Sequence, residues 1–258
     1  MTVDQLVKDA ERLRSLHVPG DPLVLPNAWD AASASVVAEA GFPVIATTSR
    51  GVAESLGYGD GHKTPPDEMF GAIARVARAV SVPVTADIER GYDLEPKEMV
   101  ERLVDAGAVG CNLEDSDPQS NELIDVDRQA DFLRDVRSAA ADAAIPIVIN
   151  ARIDVHLREA GDESSRTDVA IERGVRYLEA GVDCVYPAFL TDVDEVKKFV
   201  DGVRGAVNVT FLPGCSLAAL RSANVARISF GGGLQTASTQ WLSSMVGKIV
   251  SGQDPYTR

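Results

Sequence analysis

Short apolar runs alternate with longer amphipathic stretches from one end of the chain to the other. The runs PLVLP (22–26), PVIATT (43–48), PVTADIE (83–89), VGCNLED (109–115), IPIVINARID (145–154), DCVYPA (183–188), VNVTFLP (207–213) and ARISF (226–230) are nearly continuous in apolar residues. Such runs suit strands buried on both faces, as in a parallel sheet covered by helices. Between them the spacing predicts helices over about 29–41, 66–81, 95–107, 126–143, 165–181 and 191–203, with a short one at 216–223. Flanking helices near 3–16 and 234–251 complete the set. Helix-start signals at Thr64-Pro65-Pro66, Glu95-Pro96 and Thr191-Asp192 agree with these boundaries. Eight strand–helix units favour a (β/α)8 TIM barrel. An open doubly wound sheet would want a glycine-rich turn after its first strand, where this chain reads PNAWD. No linker, low-complexity tract or repeat divides the sequence, so residues 1–258 are expected to form one domain.

Composition narrows the function. Hydrophobic residues make up 45% of the chain but aromatics only 5%, so the expected core is mostly Ala, Val, Leu and Ile. The formal charge is −14, from 25 basic and 39 acidic residues, which disfavours nucleic acid and anionic membranes as partners. An anionic small molecule would then need local cations. The N-terminal MTVDQLVKDAERLRSL is amphipathic without a long apolar centre, so neither a signal peptide nor a membrane span is expected there. Three cysteines, Cys111, Cys184 and Cys215, are odd in number and far apart, which suits reduced thiols in the cytoplasm.

Candidate chemistry gathers just after the strands, at the end where a barrel of this kind carries its site. Asp87 and Glu89 lie two residues apart, so an extended strand would point both carboxylates to one side. A second pair, Glu114-Asp115, ends the next run. Buried like charges are costly unless a cation neutralises them. Oxygen ligands with no neighbouring His or Cys in the sequence favour Mg²⁺, with Mn²⁺ as the alternative. A solvated acidic loop would explain either pair taken alone. Arg152 is placed to meet a substrate anion, although pairing with Asp154 would also account for it. In the glycine-rich loop 47–66, the hydroxyls and amides of Thr48 and Ser49 could hold a carboxylate. The segment Gly231-Gly232-Gly233 is equally a tight turn or a phosphate cradle, and no histidine makes a nucleophilic triad.

The stretches LPNAWDAASA, TTSRGVAESLGYGD, TADIERGY, GCNLEDSDP, INARID and VARISFGGG together resemble the phosphoenolpyruvate mutase/isocitrate lyase superfamily over nearly the whole length. The resemblance implies a magnesium-dependent α/β barrel acting on α-keto acids through a pyruvate-like enolate. It further implies Asp87 as direct metal ligand, with Glu89, Glu114 and Asp60 reaching the metal through water. Thr48, Ser49 and Arg50 would grip the substrate carboxylate, Arg152 the reacting anion, and Asn208 would belong to the pocket. A C-terminal helix bearing Trp241, Leu242, Met245, Val246 and Ile249 would be exchanged between subunits of a homodimer or homotetramer.

The gating loop, about Ser116 to Asp127, departs from that pattern. It carries no cysteine, histidine or lysine, and Gln119-Ser120-Asn121 retains only an asparagine match, through Asn121. Pro187 stands where mutases place a histidine. The expectation is therefore a Mg²⁺-dependent lyase cleaving a C–C bond in an oxaloacetate-like or 2-hydroxy- or 2-keto-dicarboxylate, with Arg152, Asp60 and Asn121 as candidate catalytic residues. Phosphonopyruvate P–C chemistry, oxaloacetate decarboxylation and a non-catalytic α-keto-acid-binding barrel remain the alternatives.

Overall fold

A computed structural model describes residues 1–257. The apolar runs become the parallel strands β1 (Leu23–Leu25), β2 (Asn27–Ala28), β3 (Ile45–Thr47), β4 (Val84–Asp87), β5 (Gly110–Glu114), β6 (Val148–Ile153), β7 (Cys184–Pro187), β8 (Asn208–Thr210) and β9 (Arg227–Ser229). Six of them pair in the order β2-β3-β4-β5-β6-β7, and three in the order β1-β9-β8. The first expected strand, 22–26, ends before Pro26, whose missing N–H cannot join a ladder, and a further two-residue strand, β2, follows it. β1 pairs with β9 and β2 with β3. A lone parallel bridge, Val185 to Val207, links β7 to the chain entering β8. Strand interiors are buried apart from half-buried Val24 in β1 and Arg152 in β6, as their near-continuous apolar character predicts.

The helices are α1 (Val3–Ser15), α2 (Ala31–Glu39), α3 (Ser49–Leu56), α4 (Pro66–Ala79), α5 (Pro96–Asp105), α6 (Val126–Asp142), α7 (Arg166–Glu179), α8 (Val193–Val203), α9 (Leu217–Ser222) and α10 (Gly233–Val250). Their starts follow local chemistry. Asp30 and Ser33 form a reciprocal capping box on α2, Asp125 and Asp192 cap α6 and α8, and Pro66 and Pro96 open α4 and α5. The expected loop 47–66 is in part a helix: α3 occupies its first half and stops at Gly57, whose φ of 88° suits glycine.

Helix α1 closes the end where the strands begin. Leu13 packs against Gly110, where an added Cβ would sit 2.8 Å from the leucine Cδ2 and 2.9 Å from the Val148 carbonyl oxygen. Arg14 bonds Asp183 at 2.7 Å and the carbonyls of Pro146 and Ile147, fixing the helix to β6 and β7. The opposite end stays open. By contrast α10 buries none of its side chains, and Trp241 and Leu242 are 65% and 56% exposed. No helix among the described residues is long and apolar enough to cross a membrane.

Candidate active site

The carboxyl ends of the strands surround a cavity of about 650 Å³. Asp87, the last residue of β4, lines it together with Asp60, Asn112 and Arg152. Facing this polar wall are Leu157, Phe189, Leu212 and Phe230, which make the other side apolar. Both the charges and the apolar wall thus meet one cavity, the usual character of a small-molecule site.

Asp87 is held by the start of α3. The Ser49 N–H and Oγ both donate to Asp87 Oδ2, at 3.2 and 2.9 Å, while the Thr47 hydroxyl accepts the Asp87 N–H at 3.0 Å. One carboxylate oxygen, Oδ1, is left for another partner. A helix N-terminus carries partial positive charge, so this docking suits the Asp87 carboxylate and fixes its orientation. It also corrects the reading of Ser49 and Thr48. Ser49 spends its amide on Asp87, and Thr48 donates its N–H to the Ala28 carbonyl at 3.1 Å. The first-turn amides with no protein acceptor among the described residues are those of Arg50 and Gly51. Thr48 still lines the cavity, as does Arg50, whose guanidinium reaches Glu54 at 2.9 Å.

Glu89 does reach Asp87's side of the molecule, but not by strand alternation. The strand ends at Asp87, and Glu89 takes a left-handed backbone with φ of 52°. Its carboxylate accepts from the His62 N–H and from Tyr92 Oη at 3.1 Å. Glu114 is bridged to Arg152 at 3.0 Å, and Arg152 turns its Nε to Asp154 at 2.6 Å. Arg152 is thus paired with carboxylates, as the alternative reading expected, and it also lines the cavity. Burial, with the neighbouring carboxylates, raises Glu89 to about 7 and Glu114 to about 8, against the pull of Arg152 on the latter. Asp60, at the cavity rim, is raised by desolvation and by Asp87.

The sequence offered no histidine near these acids, but the fold supplies one. His62, Glu89 and Glu114 each present a ligand atom within 4.8 Å of the others. The ring Nε2 of His62, however, accepts the Arg90 N–H at 3.0 Å, so that lone pair is engaged. What remains is an excess of carboxylate oxygens whose ionised forms are disfavoured by burial and by each other. That set fits a hard divalent cation such as Mg²⁺.

Three expected placements differ. Asn208 is fully buried and bonds Ser229 Oγ at 3.3 Å, one strand layer below the cavity; Thr210, two residues on, lines the cavity instead. Asn121 sits exposed, with φ of 60°, in the turn between the bridged residues Ser116 and Leu123, away from the cavity walls. Asp115 points the opposite way from Glu114. It is sealed among Arg173 Nη1 at 2.9 Å, Tyr177 Oη at 2.8 Å and the Asp154 N–H at 2.8 Å. Residues passed over in the sequence include Asn112 and Tyr186, both cavity-lining. Counting back by two from Glu114 along its strand would have found Asn112.

Comparison with known proteins places this geometry in context. The family model described as phosphoenolpyruvate phosphomutase matches residues 13–250. An uncharacterised protein of Mycobacterium tuberculosis is 35% identical over 217 residues, covering 84% of this chain and 80% of that protein. The 2-methylisocitrate lyase of Escherichia coli K12 is 28% identical over 82% of this chain and 78% of its own. A crystal structure from Burkholderia cenocepacia J2315, provisionally named a phosphonomutase, superposes with a TM-score of 0.88 at 37% identity, covering 93% of this chain and 99% of that one.

Proposed function

Because the chain belongs to the phosphoenolpyruvate phosphomutase family, whose relatives are lyases and mutases, we propose that it is a Mg²⁺-dependent lyase. Its substrate would be an oxaloacetate-like or 2-hydroxy- or 2-keto-dicarboxylate, cleaved at a C–C bond through an enolate. The observation carrying this reading is one cavity that holds Asp87 and Asp60, backed by Glu89 and Glu114, beside Arg152. Asp87 through Oδ1, with Asp60, Glu89 and Glu114 around it, would hold the ion. A bound Mg²⁺ supplies Lewis-acid stabilisation of negative charge developing on the substrate.

The chain's own residues do the rest. Arg152 lies within the cavity wall and offers charge to the reacting anion, where preorganised positive potential counts most. The free amides of Arg50 and Gly51, with the Thr48 hydroxyl, hold a carboxylate at the start of α3. Asp60 is assigned the proton transfer on its position, a carboxyl lining the cavity beside Asp87. Asn121 contacts the substrate if the 116–124 segment folds inward over it.

We further read the two sheets as one closed barrel and the chain as one domain. The Val185–Val207 bridge and the continuous run from β1 into β2 support closure. The uncovered face of α10, with Trp241, Leu242 and Ile249, supports a homodimer or homotetramer that exchanges this helix. Reduced cysteines suit a cytoplasmic enzyme.

A second reading, P–C chemistry on phosphonopyruvate, is favoured by the likeness to the Burkholderia structure. The deciding assay is a panel of oxaloacetate, isocitrate, methylisocitrate, alkylmalates and phosphonopyruvate, each with Mg²⁺ and with EDTA. Metal-dependent release of a pyruvate-like or oxalate product from a dicarboxylate supports the lyase. Turnover of phosphonopyruvate alone would replace that reading with the mutase or hydrolase. Tight oxalate binding with no turnover would leave a binding protein.

A further inference from the structure

Arg227, on β9, is the largest fully sealed side chain in the protein, and no carboxylate pairs with it among the described residues. Its Nη2 donates to Asn112 Oδ1 at 3.2 Å, while Nε and Nη1 have no partner among the described residues. An unpaired buried guanidinium is costly, so its position calls for a reason. The geometry around Asn112 supplies one. A guanidinium can only donate, so the Asn112 atom facing it must be the carbonyl oxygen, which settles an amide orientation that is otherwise ambiguous. The same oxygen accepts from Asn150 Nδ2 at 2.8 Å. With Oδ1 accepting twice, the Nδ2 group of Asn112 must point elsewhere. It has no acceptor among the described residues, yet it is not one of the sealed orphan atoms, and Asn112 lines the cavity. In the β4–β5 register Asn112 stands directly opposite Asp87.

We propose that Asn112 is a substrate-contacting residue whose amide N–H donates to an oxygen of the bound α-keto or hydroxy carboxylate, and that Arg227 is the positioning residue that points it there. Accepting from a cation polarises the amide and strengthens its N–H as a donor. Arg227 also places a fixed positive charge one layer beneath an otherwise acidic floor. The assignment rests on the proposed enolate chemistry and adds to it a donor and the cation behind that donor.

Oxalate, a planar dianion shaped like a pyruvate enolate, is the probe. Its affinity for the Mg²⁺-loaded protein is measured by calorimetry, with Mg²⁺ affinity and thermal melting measured in parallel. Losing a hydrogen bond to a charged acceptor should weaken oxalate by roughly 10- to 100-fold in Asn112→Leu, with Mg²⁺ affinity little changed. Asn112→Asp gives Arg227 a counter-ion and so keeps the fold. It should tighten Mg²⁺ while weakening oxalate, opposite movements that general damage would not produce. Arg227→Gln, which can turn an oxygen toward Asn112 and let its amide flip, should lose oxalate affinity as Asn112→Leu does. Arg227→Lys, which can only donate, should retain most of it. Wild-type oxalate affinity in Asn112→Leu, or equal losses in Arg227→Gln and Arg227→Lys, overturns the proposal. A wild-type protein that binds no oxalate and turns over nothing in the panel sinks the enolate reading itself, and the ligand assigned here goes with it.

Discussion

Removing the cation from this site should make stability fall as pH rises, and the size of the effect follows from the buried acids. Glu89 is raised from 4.5 to about 7 and Glu114 to about 8, burial being the largest cause in each. In the window from about 4.5 up to those values the folded protein binds more protons than the unfolded chain. Stability therefore declines with rising pH across that window and levels off above it. Glu89 alone, once fully ionised, costs about 3 kcal/mol. Roughly 2 kcal/mol of that is lost between about pH 5.5 and 8, or roughly 4–8 °C in melting temperature. Glu114 adds to this, although Arg152 shares its proton balance and the two do not sum. His17 acts with the opposite sign: burial lowers it to about 4, so stability rises as pH climbs from there toward 6.5. That contribution is common to metal-free and metal-loaded samples. The readout is thus the difference between melting temperatures in Mg²⁺ and in EDTA, measured from about pH 5.5 to 8. It should widen with pH, and calorimetry in buffers of different ionisation enthalpy should detect protons released on Mg²⁺ binding near pH 7. A constant difference across that range, with no proton release, would refute the idea that these acids share a divalent ion.

Other outcomes test separate parts of the structure. Asp87→Ala should abolish both Mg²⁺ binding by calorimetry and turnover in the substrate panel, and an active variant would remove the basis of the proposed mechanism. Arg173→Met leaves the sealed Asp115 carboxylate without its cation. It should cost about 3–5 kcal/mol in urea unfolding, with a loss below 1 kcal/mol counting against the network. Gly110→Ala pushes a methyl into Leu13 and the Val148 carbonyl. Stability should drop by about 1–3 kcal/mol through displacement of α1, read as a lower urea midpoint. Trp241→Glu should lower the molecular mass seen by light scattering if α10 is exchanged between subunits, and an unchanged monomer would rule the exchange out.

Much of this was legible in the order of residues. Local periodicity determined the alternation of strands and helices, because a strand buried on both faces must be apolar throughout and a covering helix must not. The acids at 87, 89 and 114 were visible for the same reason, as charges at the ends of runs that had no other use for them. The contacts between segments were not legible. Glu89 joins Asp87 through a left-handed turn rather than strand alternation, and His62 arrives from a loop 27 residues earlier. Ser49 turns its amide on Asp87, and the next amides of α3, those of Arg50 and Gly51, are the ones left without an acceptor among the described residues. Asp115, adjacent to Glu114 in sequence, faces Arg173 and Tyr177 on the other side of the strand. Arg227 and Asn112 are 115 residues apart, and neither explains itself alone. Burial and hydrogen-bond satisfaction are set by which strands become neighbours. That is a property of the assembled fold, and no local pattern encodes it.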